Sequence, residues 1–313
     1  MRAMLRFGWA RVLAAPEVAK GIGYMLISAF SGATINGIVR YLSAELPPFE
    51  IAFFRNFFSA VTLSPLLFRY GLGILKVSRP GLMSLRVVLD LVSMLMFFLA
   101  LSLTPLAQAI AIHFSTPLFV TVLAVLILGE RIRTRRIIGL LIGFVGTWII
   151  LRPGVVVVEE GPALALASAL IWGGAIIVIK LLSRTESSAS QTLIMALCSA
   201  PLSFLVALPV WIMPTPAQFG WLVLLGPLGA LGHWSVAQAM KSADATIVAP
   251  IDFTRLLWAA IVGYVVFGEV PEGWTWLGSI MIIASVTYIA YRESRQRAGD
   301  STMPAPRGPG AVP

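Results

Sequence analysis

The sequence predicts an all-α integral membrane protein whose ten transmembrane helices form two inverted five-helix repeats. Three observations predict this fold: an apolar composition, apolar blocks of membrane-spanning length, and a turn motif that occurs twice. Apolar residues make up 58% of the 313 positions and charged residues 12%, whereas about a quarter of a typical soluble domain is charged. The apolar residues come in blocks of about 20, the number that a helix needs to cross a bilayer.

Proline, glycine and clusters of charged residues separate the apolar blocks and mark the ends of the predicted helices. The ten helices are predicted at residues 21–42, 50–68, 83–103, 106–128, 137–152, 162–182, 190–212, 217–240, 246–267 and 275–291. The loops between them are too short to contain a soluble domain.

The two ends of the chain are predicted to be tails. Residues 1–20 have early arginines, as a signal peptide does, but Arg11 interrupts the apolar stretch, so we interpret them as a retained cytoplasmic tail. Residues 292–313 include the Pro- and Gly-rich sequence "STMPAPRGPGAVP" and lack the apolar side chains needed to fold. They are predicted to be a disordered cytoplasmic tail.

The basic residues predict the orientation of the helices, because Lys and Arg in short loops are retained on the cytoplasmic side. If the N-terminus is cytoplasmic, the Lys and Arg residues fall in cytoplasmic segments with four exceptions, Arg40, Arg55, Arg152 and Arg255. Both termini are therefore expected in the cytoplasm. The net charge of +9 is explained by these loops, so it does not indicate nucleic-acid binding.

A Gly-Glu turn ends one apolar run in each half of the chain, as "GERIRTRR" from Gly129 and as "GEVPEGWTW" from Gly268. The first copy carries four arginines and the second none. Five helices per repeat would put the two copies on opposite sides of the membrane, which explains this difference. A second match aligns Ser28–Leu42 with Ser168–Leu182. The repeats are predicted at 21–152 and 162–291; the alternative is coincidence between two apolar sequences.

Three longer stretches carry a resemblance to a known family. They are "LPPFEIAFFRNFFS" from Leu46, "STPLFVTVLAVLILGERI" from Ser115 and "DATIVAPIDFTRLLWAAIVGYVVFGE" from Asp244. They resemble the drug/metabolite transporter superfamily, in particular its EamA-type ten-helix carriers and the bacterial branch that includes S-adenosylmethionine uptake carriers. This resemblance implies a basket of helices around a central cavity in the inner membrane of a bacterium, without a metal or organic cofactor.

The sequence lacks several common catalytic and nucleotide-binding motifs, which argues against some classes of function. The sequence has no H-E-x-x-H, G-x-S-x-G or Walker motif and a single cysteine, which argues against an embedded enzyme, an ATP-driven pump and a Cys-rich metal site. The leading hypothesis is a secondary transporter that moves a small zwitterionic or amphipathic metabolite, such as an amino acid or S-adenosylmethionine, by alternating access. A structural or partner-binding membrane subunit is the remaining alternative. The direction of transport, a coupled proton or counter-substrate, and the oligomeric state stay open.

Polar and aromatic side chains within the predicted helices are the candidates for the site, since ionisable groups in a membrane usually face a cavity or a partner. The candidates for substrate binding or coupling are Asn36, Arg55, Asp90, His113, Trp172, His233, Trp234, Asp252 and Arg255.

The pair His113 and Asp252 is the strongest of these candidates. The two residues correspond when the Gly-Glu turns are aligned, and equivalent positions of inverted repeats converge near the middle of the membrane. The alternative for His113 is a histidine packed in the core. Arg255 follows Asp252 by three positions, so these two side chains are expected to neutralise each other, either permanently or as a gate.

The other candidates each have a structural alternative. Arg55 is suited to holding a substrate carboxylate, or else it pairs with Glu50 or extends to the lipid headgroups. Asp90 is either an internal partner of Arg86, four residues earlier, or a cation or proton site. The tryptophans and His233 lie beside glycines and are suited to stacking on a substrate, but aromatic residues in membrane helices also pack against helices or lipid. Asn36 is a neutral hydrogen-bonding candidate.

Overall fold

The computed structural model describes residues 16–65, 67, 71–129, 134–151, 159–182, 185–242 and 249–300. Within these residues the chain is helical and has no β-strand. The α-helices are α1 (Pro16–Leu42), α2 (Pro48–Leu63), α3 (Pro80–Leu103), α4 (Leu106–His113), α5 (Thr116–Leu128), α6 (Thr134–Leu151), α7 (Glu160–Leu182), α8 (Ser188–Ala207), α9 (Pro216–Ser242), α10 (Thr254–Phe267) and α11 (Gly273–Asp300). Short 3₁₀ turns occur at Leu72–Leu75, Leu208–Val210 and Ala249–Phe253.

The length and composition of these helices are those of a protein that crosses a membrane several times. Six stretches of the described chain are long and apolar enough to span a bilayer, namely Ala19–Leu42, Pro80–Leu103, Leu106–Ile127, Glu160–Leu182, Ser190–Val210 and Pro216–Val236. Large apolar side chains also cover the outer surface: Leu126 is 74% exposed and Val265 is 73% exposed. Such a surface is suited to lipid and not to water.

The fourth predicted helix is divided into α4 and α5, which the apolar pattern did not predict. Phe114 and Ser115 separate the two helices. The cause is Pro117, which has no backbone N–H to donate to the carbonyl oxygen of His113. The hydroxyl of Thr116 donates to that oxygen instead, over 2.7 Å, so the break leaves the carbonyl satisfied.

The ninth predicted helix has a 3₁₀ turn at the corresponding place. The turn Ala249–Phe253 precedes α10, and residues 243–248, where part of this helix was predicted, lie outside the described residues. The Ser115 hydroxyl donates to the carbonyl of Ile112, and the Thr254 hydroxyl donates to that of Ile251, both over 2.7 Å. These are corresponding bonds when the Gly-Glu turns are aligned.

Several helix ends differ from the sequence prediction. The helix α2 ends before Pro65 instead of near residue 68, since the residue before a proline is biased away from helix. The last helix extends to Asp300, so residues 292–300, predicted as disordered, are helical. The apolar run ends near residue 291, but the sequence "ESRQRA" that follows at residues 293–298 consists mostly of strong helix formers. The N-terminal residues 1–15 and the C-terminal residues 301–313 lie outside the described part of the chain.

The closest helix pairs join the two halves of the chain. The helix α1 packs along α9, α3 along α7, α2 along α8, and α6 along α11. In the two halves α1 corresponds to α7, α2 to α8, α3 to α9 and α6 to α11. If each helix is replaced by its equivalent, the pair α1–α9 becomes the pair α7–α3, whereas α2–α8 and α6–α11 remain the same pairs. The contact between α6 and α11 is very close, since a Cβ atom added at Gly146 would lie 2.7 Å from the carbonyl oxygen of Gly278.

Two corresponding residues touch where the broken helices meet. The rings of Phe114 and Phe253 lie 5.0 Å apart, and α4 packs against α10. A two-fold relation between the halves produces contacts of this kind. The buried apolar core surrounds this region and includes the side chains of Ile51, Leu101 and Ile112.

Candidate functional site

Asp252 and Arg255 form an ion pair where α10 begins. An Nη2 to Oδ1 distance of 2.8 Å joins the two side chains, which are 33% and 29% exposed, so the expected pairing is confirmed. The guanidinium group lies against Gly32 of α1, where an added Cβ atom would be 2.9 Å from the Arg255 Nε. Because glycine has no side chain, Gly32 leaves the space that Arg255 occupies. Asn36 is one turn further along α1 and half-buried.

His113 ends α4 beside the same region. Its ring packs on Phe97 of α3 with 4.4 Å between the ring centroids. His113 and Asp252 directly precede Phe114 and Phe253, whose rings lie 5.0 Å apart. His113 and the Asp252–Arg255 pair therefore flank the contact between the two halves.

Arg55 points to α3 and not to Glu50. Its Nη1 contacts the thioether sulfur of Met94 at 2.8 Å and the side-chain oxygen of Asn56 at 3.4 Å. Glu50 instead accepts the backbone N–H of Ile212 over 3.0 Å. The Arg55 Nε is buried and has no hydrogen-bond partner among the described residues.

Asp90 pairs with Arg86 as its spacing predicted. The Arg86 Nε lies 3.2 Å from Asp90 Oδ2, and the Arg86 Nη1 donates to the side-chain oxygen of Gln191 on α8 over 2.6 Å. Only 3% of the Asp90 side chain is exposed, and its Oδ1 is buried without a partner in the described chain. Asp90 also acts electrostatically on Arg55.

Met94 and Phe97 were not selected by sequence analysis, yet they lie between the contacts of Arg55 and those of His113. Asp90, Met94 and Phe97 follow one another at helical spacing, so they share one face of α3. Met94 contacts Arg55, and Phe97 contacts His113. Neither residue differs in type from the many apolar residues that face lipid, so no sequence signal marked them.

Neither of the two tryptophans is brought into this group by a contact among the described residues. Trp234 is 51% exposed, and its ring meets Tyr24 edge-on with centroids 5.5 Å apart. Trp234 thus packs against a neighbouring helix, as the structural alternative predicted. Trp172 is half-buried on α7, and the adjacent Gly173 lies against Phe119 of α5. The side chain of His233 lies outside the described residues.

A small cavity lies at the end of the molecule where α4 begins. Its volume is about 130 Å³. Its lining includes Pro105, Gln108, Gly263 and Glu269, and therefore the second Gly-Glu turn.

Comparison with known proteins identifies the family. The sequence model of the EamA-like transporter family matches the chain twice, over residues 19–152 and 160–291. This chain belongs to the EamA-like transporter family. The resemblance that the sequence motifs indicated is thus confirmed.

Curated relatives of this EamA-family chain are named as carriers of metabolites. It is 34% identical over 275 residues to the S-adenosylmethionine uptake transporter of Rickettsia bellii, covering 88% of this chain and 94% of that one. It is 32% identical over 283 residues to the riboflavin transporter of Vibrio cholerae, covering 88% and 95%. It is 27% identical over 271 residues to the pseudopaline exporter of Pseudomonas aeruginosa, covering 85% and 94%.

A solved crystal structure has the same fold. It aligns with a TM-score of 0.60 at 19% sequence identity and covers 90% of this chain and 98% of that one. The family and the relatives together show that this chain is a membrane transporter of small metabolites and not an enzyme.

Proposed function

We propose that the chain is a secondary transporter that moves a zwitterionic or amphipathic metabolite across the inner membrane of a bacterium by alternating access. The two halves form inverted five-helix repeats, ten membrane-spanning helices in all, and both termini are cytoplasmic. Repeats of opposite orientation are able to exchange conformations, which opens a shared central site to either side in turn.

Three observations support the inverted repeats. The family matches the chain once in each half. The helix pairs that join the halves are exchanged or preserved when the halves are swapped. A 3₁₀ turn precedes α10 at the place that corresponds to the break between α4 and α5, and Phe114 touches its equivalent Phe253. The basic residues that follow Glu130 but not Glu269 support opposite orientations and the cytoplasmic termini.

The position of His113 and of the Asp252–Arg255 pair beside the contact between Phe114 and Phe253 is the observation that carries the proposal. Broken helices within a membrane are tolerated where the backbone lines a cavity or is buried in protein, and transporters place their substrate sites there. A scaffold protein has no need for three ionisable side chains at such a place. We therefore propose these residues, together with Arg55, Asp90 and Asn36, as the group that binds substrate or couples its movement.

S-adenosylmethionine is the first candidate substrate. It is the compound named for the relative that is 34% identical. It carries both positive and negative groups, and the proposed site likewise offers guanidinium groups and carboxylates. A coupled proton or a counter-substrate would supply the driving force.

The test is transport by the purified protein in liposomes. The panel comprises S-adenosylmethionine, riboflavin, amino acids and polyamines, with uptake and efflux measured under proton and sodium gradients. We expect one compound to be transported and Asp252→Asn to abolish its transport without unfolding the protein. Glu45→Gln, an exposed carboxylate that accepts a bond from Gln218, is the matched control. If no compound moves in either direction under any gradient, the proposal fails.

A further inference from the structure

The buried charges between α2 and α3 do not balance. Arg86 and Asp90 neutralise each other at 3.2 Å, and their side chains are 11% and 3% exposed. The other partner of Arg86 is Gln191, which is neutral. Asp90 forms its ion pair with Arg86, whereas the contacts of Arg55 among the described residues are with Met94 and Asn56, which are neutral. The cluster therefore contains two guanidinium groups and one carboxylate.

The hydrogen bonds of Arg55 are also weak. A guanidinium has five N–H donors. The Nη1 of Arg55 contacts the Met94 thioether, which is a poor acceptor, and the Asn56 amide oxygen at 3.4 Å. The Nδ2 of Asn56 donates to the Ser203 hydroxyl over 3.2 Å, which holds this amide in place. The Nε of Arg55 is buried without a partner in the described chain. Burying such a group is unfavourable unless an acceptor joins it.

A carboxylate is the ligand that corrects both defects. It supplies the missing negative charge, and its two oxygens match the parallel N–H groups of a guanidinium. Met94 contacts Arg55, and Phe97, three residues further along α3, packs against His113. A thioether and two rings there suit the apolar or planar part of the same ligand.

We propose that Arg55 binds the carboxylate of the transported metabolite on the side of its guanidinium that contacts the Met94 sulfur. This inference rests on the proposed function and restricts its substrate class. S-adenosylmethionine carries a carboxylate, whereas riboflavin carries none. The proposal therefore separates the substrates named for two relatives of similar identity.

Asp90 and Arg86 are positioning residues in this arrangement. Arg86 keeps Asp90 neutralised, which leaves Arg55 available to the substrate. In Arg86→Gln, Asp90 takes Arg55 as its partner, and the affinity for carboxylate ligands falls although Arg86 does not touch the ligand. Adding Asp90→Asn removes that competitor, so Arg86→Gln/Asp90→Asn recovers carboxylate binding. A purely structural role of the pair gives no such recovery.

The experiment compares ligands that differ only in the carboxylate. The purified full-length protein is titrated with S-adenosylmethionine and decarboxylated S-adenosylmethionine, and with amino acids and their amides, while its melting temperature is measured. We expect the carboxylate form of at least one pair to bind roughly 10- to 100-fold more tightly, the range for hydrogen bonds to charged groups. In Arg55→Met the two members of that pair bind equally. Arg79→Gln, which removes an exposed arginine at the start of α3, retains the difference.

The outcomes separate this inference from the transport function. If no carboxylate compound raises the melting temperature, or if the increase is the same in Arg55→Met, the inference is overturned. If the protein in liposomes transports riboflavin or another compound without a carboxylate in preference to the carboxylate compounds, the inference is overturned while the transport function stands. If nothing is transported, the transport function itself fails.

Discussion

Arg40 at the end of α1 and Glu269 after α10 form an ion pair, with 3.0 Å between Nη2 and Oε1. The same guanidinium donates through Nη1 to the carbonyl oxygens of Leu101 and Ser102, at the end of α3. The other carboxylate oxygen of Glu269 accepts the backbone N–H of Leu106 over 2.8 Å. Two side chains thus satisfy backbone groups that helix ends leave open, and they join four helices at one end of the molecule.

Glu269→Gln is expected to lower the free energy of unfolding by about 1–3 kcal/mol. The substitution leaves the partly buried guanidinium of Arg40 without its counter-ion, and such a loss exceeds that of a surface pair. The melting temperature in detergent measures the effect. The control is Glu17→Gln, which breaks the exposed pair with Lys20 and should lower the melting temperature by much less, because solvent screens an exposed pair. Equal shifts in the two variants would contradict a role for Glu269 in joining the helices.

Gly226→Ala is expected to separate α9 from α2. A Cβ atom at Gly226 would lie 2.6 Å from the carbonyl oxygen of Phe58, and a backbone atom does not yield as a flexible side chain does. We expect a loss of about 1–3 kcal/mol, as for an overpacked core, measured as the melting temperature. The control on the same helix is Gly220→Ala, where no atom lies within 4 Å. It should be neutral or stabilising, because alanine favours helix, and destabilisation of both variants alike would refute the explanation.

The break between α4 and α5 depends on Thr116 and Pro117. Thr116→Val removes the hydroxyl that donates to the His113 carbonyl and should destabilise the protein by about 1–2 kcal/mol. Adding Pro117→Ala supplies a backbone N–H for that carbonyl, so the double variant should recover much of the loss. Thr34→Val is the control, since Thr34 donates to a carbonyl within the uninterrupted helix α1. Failure of the second substitution to restore the melting temperature would show that another cause produces the break.

Substitution of both members of the Asp252 and Arg255 pair should separate stability from transport. Asp252→Asn leaves the guanidinium without its 2.8 Å partner and should lower the melting temperature and abolish transport. Asp252→Asn/Arg255→Gln removes both charges, and we expect the melting temperature to recover while transport stays absent. Transport that returns together with the melting temperature would mean that the pair is only structural.

Local spacing in the sequence was sufficient to predict part of the site. Asp90 with Arg86, and Asp252 with Arg255, are separated by four and three positions, and residues at these separations share a helix face. The correspondence of His113 with Asp252 came from the repeated Gly-Glu turn. These predictions required nothing beyond helix geometry and one internal alignment.

The contacts made by Arg55, His113 and Arg40 were not predictable in this way. Arg55 meets Met94, His113 meets Phe97, and Arg40 meets Glu269 across long separations in sequence. Which side chains meet depends on how each helix is rotated about its axis and which neighbour it packs against. An apolar sequence leaves that rotation undetermined, since lipid-facing and core-facing positions are occupied by the same residue types.

The sequence by itself determined that this protein is helical and lies in a membrane, because an apolar segment in lipid must satisfy its backbone hydrogen bonds internally and a helix does so. It also determined the family and the approximate limits of most helices. Only the tertiary structure decided which charged groups are paired, which helix is broken, and which guanidinium has no counter-ion among the residues that the structure describes. The reason is that hydropathy acts on one helix at a time, whereas a binding site is formed by several helices packed together.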